Sequence, residues 1–168
     1  KKALSGSNLN KPILAEKDLT ILIPAFNEEL VIRRALQNII SIAPKDTRII
    51  VIDDESRDKT SNHVKDFIDS HPHPNIPLMS LFTIHGKGGA LNHALNLVET
   101  ELVMILDADC TLKHDAIQNM LGYFNDPLVK GLATHVRIAD DNRLLSLLQK
   151  IEFIVGFHHK KYYDVANN

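Results

Sequence analysis

The stretch Arg48-Ile49-Ile50-Val51-Ile52-Asp53-Asp54 decides the fold. Its inner residues are all β-branched and apolar, and two acids close it. A strand with one wet face alternates apolar with polar residues. This run does not, so both of its faces are buried, as in a parallel sheet covered by helices. Upstream lies a matching apolar run, Leu19-Thr20-Ile21-Leu22-Ile23-Pro24, ended by proline. Asn27-Glu28-Glu29 then predicts a helix start, with Asn27 as the cap and the glutamates at the positive end of the dipole. Leu30, Val31, Ala35, Leu36, Ile39 and Ile40 recur behind it at roughly helical spacing, up to Pro44. Downstream, the pattern predicts a helix over Lys59–Asp69 and a proline-rich loop over His71–Pro77. It continues with a strand over Leu78–Ile84, a helix over Ala90–Val98 and a strand over Leu102–Leu106. A helix over Asp115–Phe124 and a strand over Val129–Ile138 complete it.

Apolar strands alternating with amphipathic helices predict an α/β fold, a mostly parallel sheet with helices on both faces. Ligands of such sheets bind beyond the carboxyl ends of the strands. The polar residues at those ends are Pro24 to Asn27, Asp53-Asp54 and Asp107-Ala108-Asp109, and all are expected along one rim. Residues 1–17 read as a tail or linker, 18–140 as the α/β domain, and 141–168 as an amphipathic helical segment.

Composition limits the function. The chain has 168 residues, about one domain. Its 19 basic and 21 acidic residues give a net charge of −2, which argues against a basic nucleic-acid-binding surface. One cysteine, Cys110, forms neither an internal disulfide nor a multi-thiolate zinc site, and fits a reducing compartment. No run reaches the roughly 18 apolar residues of a membrane span. The Lys1-Lys2 start, without a signal-peptide core, suggests a fragment of a larger protein.

Chemistry concentrates at the predicted rim. In extended chain, Asp107 and Asp109 point the same way, and two converging carboxylates call for a proton or a cation. A hard divalent ion suits such oxygen ligands, with substrate phosphates completing its shell. The alternative is an aspartate that only caps the next helix. A carboxylate of Asp53-Asp54 is placed to accept from a base N–H or a ribose hydroxyl, or to shape a turn with Ser56. Gly86-Lys87-Gly88-Gly89-Ala90 is not a P-loop, yet it puts a cation and permissive backbone before a helix, a setting for a diphosphate. His71 and His73 lack further ligands at metal-site spacing, and His158-His159-Lys160-Lys161 reads as a solvated face. The segment Leu144 to Val155 reads as core packing or as an interfacial helix beside a membrane.

Together these residues resemble the inverting family 2 glycosyltransferases of the GT-A fold, over roughly Leu19 to Phe157. The resemblance rests on four segments in order: Ile23-Pro24-Ala25-Phe26-Asn27-Glu28-Glu29, Val51 to Thr60, Gly86 to Asn92, and Asp107-Ala108-Asp109. Membrane-associated processive synthases of the cellulose, hyaluronan and poly-N-acetylglucosamine type look closest, partly through Gln149-Lys150-Ile151-Glu152-Phe153.

The resemblance implies a UDP-sugar donor, Mg²⁺ or Mn²⁺, and a glycan or lipid-linked acceptor at the cytoplasmic face of a membrane. Pro24, Ala25, Asn27 and Glu28 would lie along the nucleotide, with Glu28 near the ribose. Asp54, with Asp53, would read the uracil, and Lys87 would sit near the phosphates. Asp107 and Asp109 would form the D-x-D motif, Asp109 being the direct metal ligand. Gln149 and Glu152 are placed on the acceptor side.

The family's general base is expected downstream. No Thr-Glu-Asp-like motif follows Asp109, Asp140-Asp141 falls too early, and Gln-x-x-Arg-Trp is absent because the chain has no Trp. The expected molecule is therefore the donor- and metal-binding half of a GT-A enzyme, truncated on its C-terminal side and inactive alone. Alternatives are a metal-dependent nucleotidyltransferase, a silent nucleotide-binding module and a phosphoacceptor receiver domain. The last leaves Pro24–Glu29 and Gly86–Asn92 without a role.

Overall fold

The apolar runs Leu19–Ala25 (β1) and Arg48–Asp53 (β2) pair in parallel, Thr20 opposite Arg48 through Ala25 opposite Asp53. In this computed structural model, residues 19–71 and 75–134 are described, together with Leu148 and Ile151. Leu78–Ser80 (β3) joins the outer side of β2, and Leu102–Ile105 (β4) joins β1. The sheet order is β3-β2-β1-β4, with every pairing parallel. Among the described residues 19–134, four helices accompany it: α1 (Ile32–Ile42), α2 (Thr60–Ser70), α3 (Gly86–Leu95) and α4 (Ala116–Tyr123).

Alternation along the strands builds two cores. Ile21, Ile23, Ile49 and Val51 face Ile32, Leu36 and Ile39 of α1, Val64 and Phe67 of α2, and Ile117 and Leu121 of α4. The intervening Leu22, Ile50 and Ile52 face Ala90 and Ala94 of α3 on the opposite side. The chain runs outward from β1 to β3, then returns across the sheet to β4. Right-handed crossovers place helices of opposite travel on opposite faces, as observed. The strand order reverses at β1, and the ligand crevice of such sheets lies at that switch point. The parent α/β fold expected from the sequence is therefore present. Contacts divide the chain into units 1–130 and 131–168, and all the elements named here lie in the first.

Four local expectations are corrected. Asn27 does not cap α1, which starts at Ile32 behind Val31 with no side-chain cap. The amides of Asn27, Glu28 and Glu29 are bound instead by Ser56, Thr60 and Asp58 of the β2–α2 loop. A tertiary contact has replaced the local cap, and the helix begins later. Helix α3 starts at Gly86 rather than Ala90, so the glycines form its first turn. The strand expected over Val129–Ile138 is not formed at residues 129–134. Asp126 binds the Leu128 amide with its carboxylate and the Val129 amide with its carbonyl, closing a turn. Residues 135–138 lie outside the described residues. Strand β3 is also shorter than expected: Leu81 N–H makes a last bond to Asp53 O at 2.9 Å, and the chain then leaves the sheet.

Candidate functional site

At the carboxyl ends of β2, β1 and β4 lies a cleft of about 290 Å³. It is lined by Pro24, Ala25, Phe26 and Glu28 after β1, Asp54 after β2, Lys87 and Ala90 of α3, and Asp107, Ala108 and Asp109 after β4. Because β1 is central, Pro24–Glu28 stand between Asp54 and the Asp107–Asp109 turn. Seven residues assigned to the site from the sequence thus surround one space: Pro24, Ala25, Glu28, Asp54, Lys87, Asp107 and Asp109.

Two of the sequence candidates do other work. The Asp53 carboxylate accepts from Ser56 N–H at 3.0 Å and from the Ser61 hydroxyl, which fixes the turn after β2, and Asp53 does not line the cleft. Asn27 also lies outside the lining, and its Oδ1 accepts from Arg57 N–H at 2.9 Å. Asn27 and Glu55 have φ of 56° and 63°, the left-handed region that asparagine tolerates better than most residues. The opposing loops are tied in both directions. Asp58 Oδ2 accepts from Glu29 N–H at 3.1 Å, while Glu29 Oε2 accepts from Lys59 N–H at 2.9 Å. Asp58 Oδ1 also receives Thr60 N–H at 2.9 Å and the Thr60 hydroxyl at 2.5 Å. Burial opposes its charge, yet these hydrogen bonds outweigh it and hold the Asp58 carboxyl below its ordinary range.

The turn after β4 is built from α1. Asn38 receives Leu112 N–H at 2.7 Å and donates to Leu112 O at 3.0 Å, imitating a strand partner. Cys110 N–H closes the turn onto Asp107 O at 3.0 Å, and Ala108 is buried. The aspartates on either side are left to the cleft. Lys87 Nζ donates to Asp107 Oδ1 at 2.5 Å, with both side chains about half exposed.

Negative charge dominates this side. Burial pushes the Glu28 carboxyl up, and Asp109, Asp58 and Asp107 push it further. Burial likewise raises the Cys110 thiol, with Asp109 and Asp107 adding to it. Ligand atoms of Asp107, Asp109 and Cys110 lie within 4.8 Å of one another. Carboxylate oxygens are hard donors, and a thiol kept protonated is a poor ligand, so the set suits Mg²⁺ or Mn²⁺ bound through the two aspartates.

Phe26, Ala90 and Ala108 complete the lining. Nothing polar marks them in the sequence; only the small residues at 90 and 108, beside glycine and between acids, signal close approach. Gln149 and Glu152, and all of residues 141–168 except Leu148 and Ile151, lie outside the described residues. Among the described residues no helix is long and apolar enough to cross a membrane.

Residues 20–165 match the description Glycosyl transferase family 2. The chain belongs to that family. Among curated relatives of this family 2 member is a poly-beta-1,6-N-acetyl-D-glucosamine synthase of Staphylococcus epidermidis. It is 29% identical over 141 residues, covering 82% of this chain and 34% of that protein. A Staphylococcus aureus synthase of the same name is 28% identical, covering 80% of this chain and 32% of its own length. The chain thus spans about a third of these relatives. Among solved structures, mannosyltransferase PcManGT from Pyrobaculum calidifontis in complex with GDP-Man and Mn²⁺ superposes with a TM-score of 0.64 at 32% identity. That match covers 67% of this chain and 33% of PcManGT. S. aureus TarS 1-349 has the same fold, with a TM-score of 0.59 at 21% identity over 74% of this chain and 40% of TarS. The family 2 assignment, with its GT-A-like α/β fold, agrees with the parallel sheet and the acidic strand ends.

Proposed function

We propose that this chain is the donor- and metal-binding part of a glycosyltransferase that moves a sugar from a UDP-sugar to a glycan or lipid-linked acceptor, with inversion. One observation carries the reading: Asp54, Pro24–Glu28, Lys87 and Asp107–Asp109, from separate strand ends, line a single cleft. Asp54 is buried and offers a carboxylate oxygen to a base N–H. The Pro24–Phe26 wall lies in the middle, where a ribose would pass, with Glu28 beside it. Lys87, one residue into α3, adds its charge to the positive end of that helix, and both attract a diphosphate.

Asp109 and Asp107 would hold Mg²⁺ or Mn²⁺. Such an ion, when bound, neutralises charge growing on a leaving diphosphate. Lys87 contributes in the same sense: its ammonium is attracted more strongly as the bond to the sugar breaks, which lowers the barrier rather than merely tightening binding. PcManGT was solved with a nucleotide-sugar and Mn²⁺, and its likeness to this chain supports the same ligand classes here. Likeness to the poly-beta-1,6-N-acetyl-D-glucosamine synthases supports a polysaccharide product; its assembly at the cytoplasmic face of a membrane is part of the proposal. Proton removal from the acceptor hydroxyl is assigned to an acidic residue elsewhere in the full-length enzyme.

Calorimetric titration of the chain with UDP, GDP and ADP, with and without Mn²⁺, tests the reading. UDP should bind most tightly, gain affinity with Mn²⁺, and lose that gain in Asp109→Ala. Equal affinities for UDP and ADP would remove the uracil assignment to Asp54. No nucleotide binding at all would remove the donor site.

A further inference from the structure

The two carboxylate oxygens of Asp54 are not equivalent. Oδ1 accepts from the His85 main-chain N–H at 2.8 Å, and His85 Nδ1 stands 3.6 Å from the same oxygen. Among the described residues Oδ2 accepts no hydrogen bond, and Asp54 lines the cleft. The imidazole is braced on its other sides. Nε2 lies 3.4 Å from Thr83 Oγ1, and the ring meets His93 edge-on with centroids 4.6 Å apart.

The glycines that follow shape this seat. Gly86 has φ +68°, a conformation that glycine adopts without strain. A Cβ on Gly89 would lie 2.7 Å from the His85 Cβ, so the bare face of Gly89 is what lets residue 85 approach. Neither His85 nor Gly89 lines the cleft, so their effect on a ligand passes through Asp54.

We propose that His85 is a positioning residue for base recognition: it engages Oδ1 of Asp54 and leaves Oδ2 to meet a single imide N–H. This rests on the UDP-sugar reading above and refines it. Uracil presents one ring N–H between two carbonyls. Guanine presents N1–H and the 2-amino group side by side, a pair that suits a carboxylate with both oxygens open. Adenine and cytosine present an unprotonated ring nitrogen, whose lone pair faces the carboxylate unfavourably. Holding Oδ1 therefore selects for uracil by limiting what Asp54 offers as well as by what it accepts.

The test compares UDP, N3-methyl-UDP and GDP in titrations of the wild-type chain, Gly89→Ala and the double variant Gly89→Ala/His85→Gly. Wild type should prefer UDP over N3-methyl-UDP by roughly tenfold, the scale of one good hydrogen bond. Gly89→Ala should bring that ratio towards one and narrow the UDP-to-GDP preference, although alanine favours a helix more than glycine does. Removing the His85 side chain in the double variant frees the space while keeping the main-chain N–H, and should restore the ratio. A purely structural role would weaken all three ligands alike. An unchanged ratio in a folded Gly89→Ala chain, or equal losses for every ligand, overturns the proposal. Should Gly89→Ala not fold, His85→Pro, which removes the main-chain N–H that Oδ1 accepts, reads the same ratio, and a wild-type ratio there overturns the proposal. A wild-type chain that binds UDP and N3-methyl-UDP equally refutes the Asp54 reading and this inference together. Discrimination that persists through the variants refutes only the inference.

Discussion

Asp53, Asp58, Asn27, Glu29 and Ser56 bind amides or carry amides bound by the facing loop, so the β1–α1 and β2–α2 loops are locked together in both directions. After β4 the Cys110 N–H closes the turn onto Asp107 O and Asn38 holds Leu112, while the one ion pair of the turn's carboxylates among the described residues is Asp107 with Lys87. The Asp54 side of the cleft, proposed above for the base, is thus preorganised by hydrogen bonds, while the Asp107–Asp109 side, proposed for the phosphates, gathers negative charge. Rigidity at the first reduces the ordering cost of binding. On the proposed reading, the acidic charge at the second should make binding there depend on a cation and on the diphosphate.

The largest effect that would sharpen this contrast is Asp109→Ala. It should abolish the Mn²⁺-dependent gain in UDP affinity, a loss of at least about 10- to 100-fold, with little change in thermal stability. Affinity that stays metal-dependent in the variant would break the contrast. Asp58→Ala should do the reverse. Losing the carboxylate that unites Glu29 and Thr60 should cost about 1–3 kcal/mol, seen as a fall of roughly 3–10 °C in Tm by circular dichroism.

The two sides should also answer pH with opposite signs. Asp58, whose carboxyl is depressed, contributes stability that is present above its unfolded pKa and lost as pH falls through the folded value. The Tm gap between wild type and Asp58→Asn should therefore hold steady above about pH 5 and shrink in acid. Glu28, whose carboxyl is raised, is favourable below its unfolded pKa and loses that advantage as pH rises through the folded value. Glu28→Gln should accordingly raise Tm at neutral pH, and a lowered Tm would contradict the crowding of charge described here. The smallest effect on folding belongs to Lys87→Ala. An exposed pair of this kind contributes about 0–1 kcal/mol, so Tm should barely move. UDP affinity should fall while uridine affinity does not.

The alternating cores were legible because Ile49 to Ile52 admit no wet face, and the acidic strand ends because aspartate after a buried run needs a partner. What the sequence hid was which aspartate faces where. Asp53 and Asp54 are adjacent and chemically identical, and only the Ser56 and Ser61 contacts assign the first to the turn. Asn27 has the identity of an N-cap, but its position is taken by side chains about 30 residues away, which local pattern does not reveal. His85 escaped for a related reason. Its contact with Asp54 runs through a main-chain N–H, available to almost any residue, and its only trace is the glycine four positions on.

The central claim is that Asp54 and the Asp107–Asp109 turn grip one molecule. Nuclear magnetic resonance of the ¹⁵N-labelled chain tests it most directly, with UDP added first and then substoichiometric Mn²⁺. UDP should shift the amides of Asp54 and His85, and Mn²⁺ should then broaden Glu28, Lys87, Ala108 and Asp109 in the UDP complex. Broadening of a different region, or UDP shifts confined to residues away from β2, would contradict it.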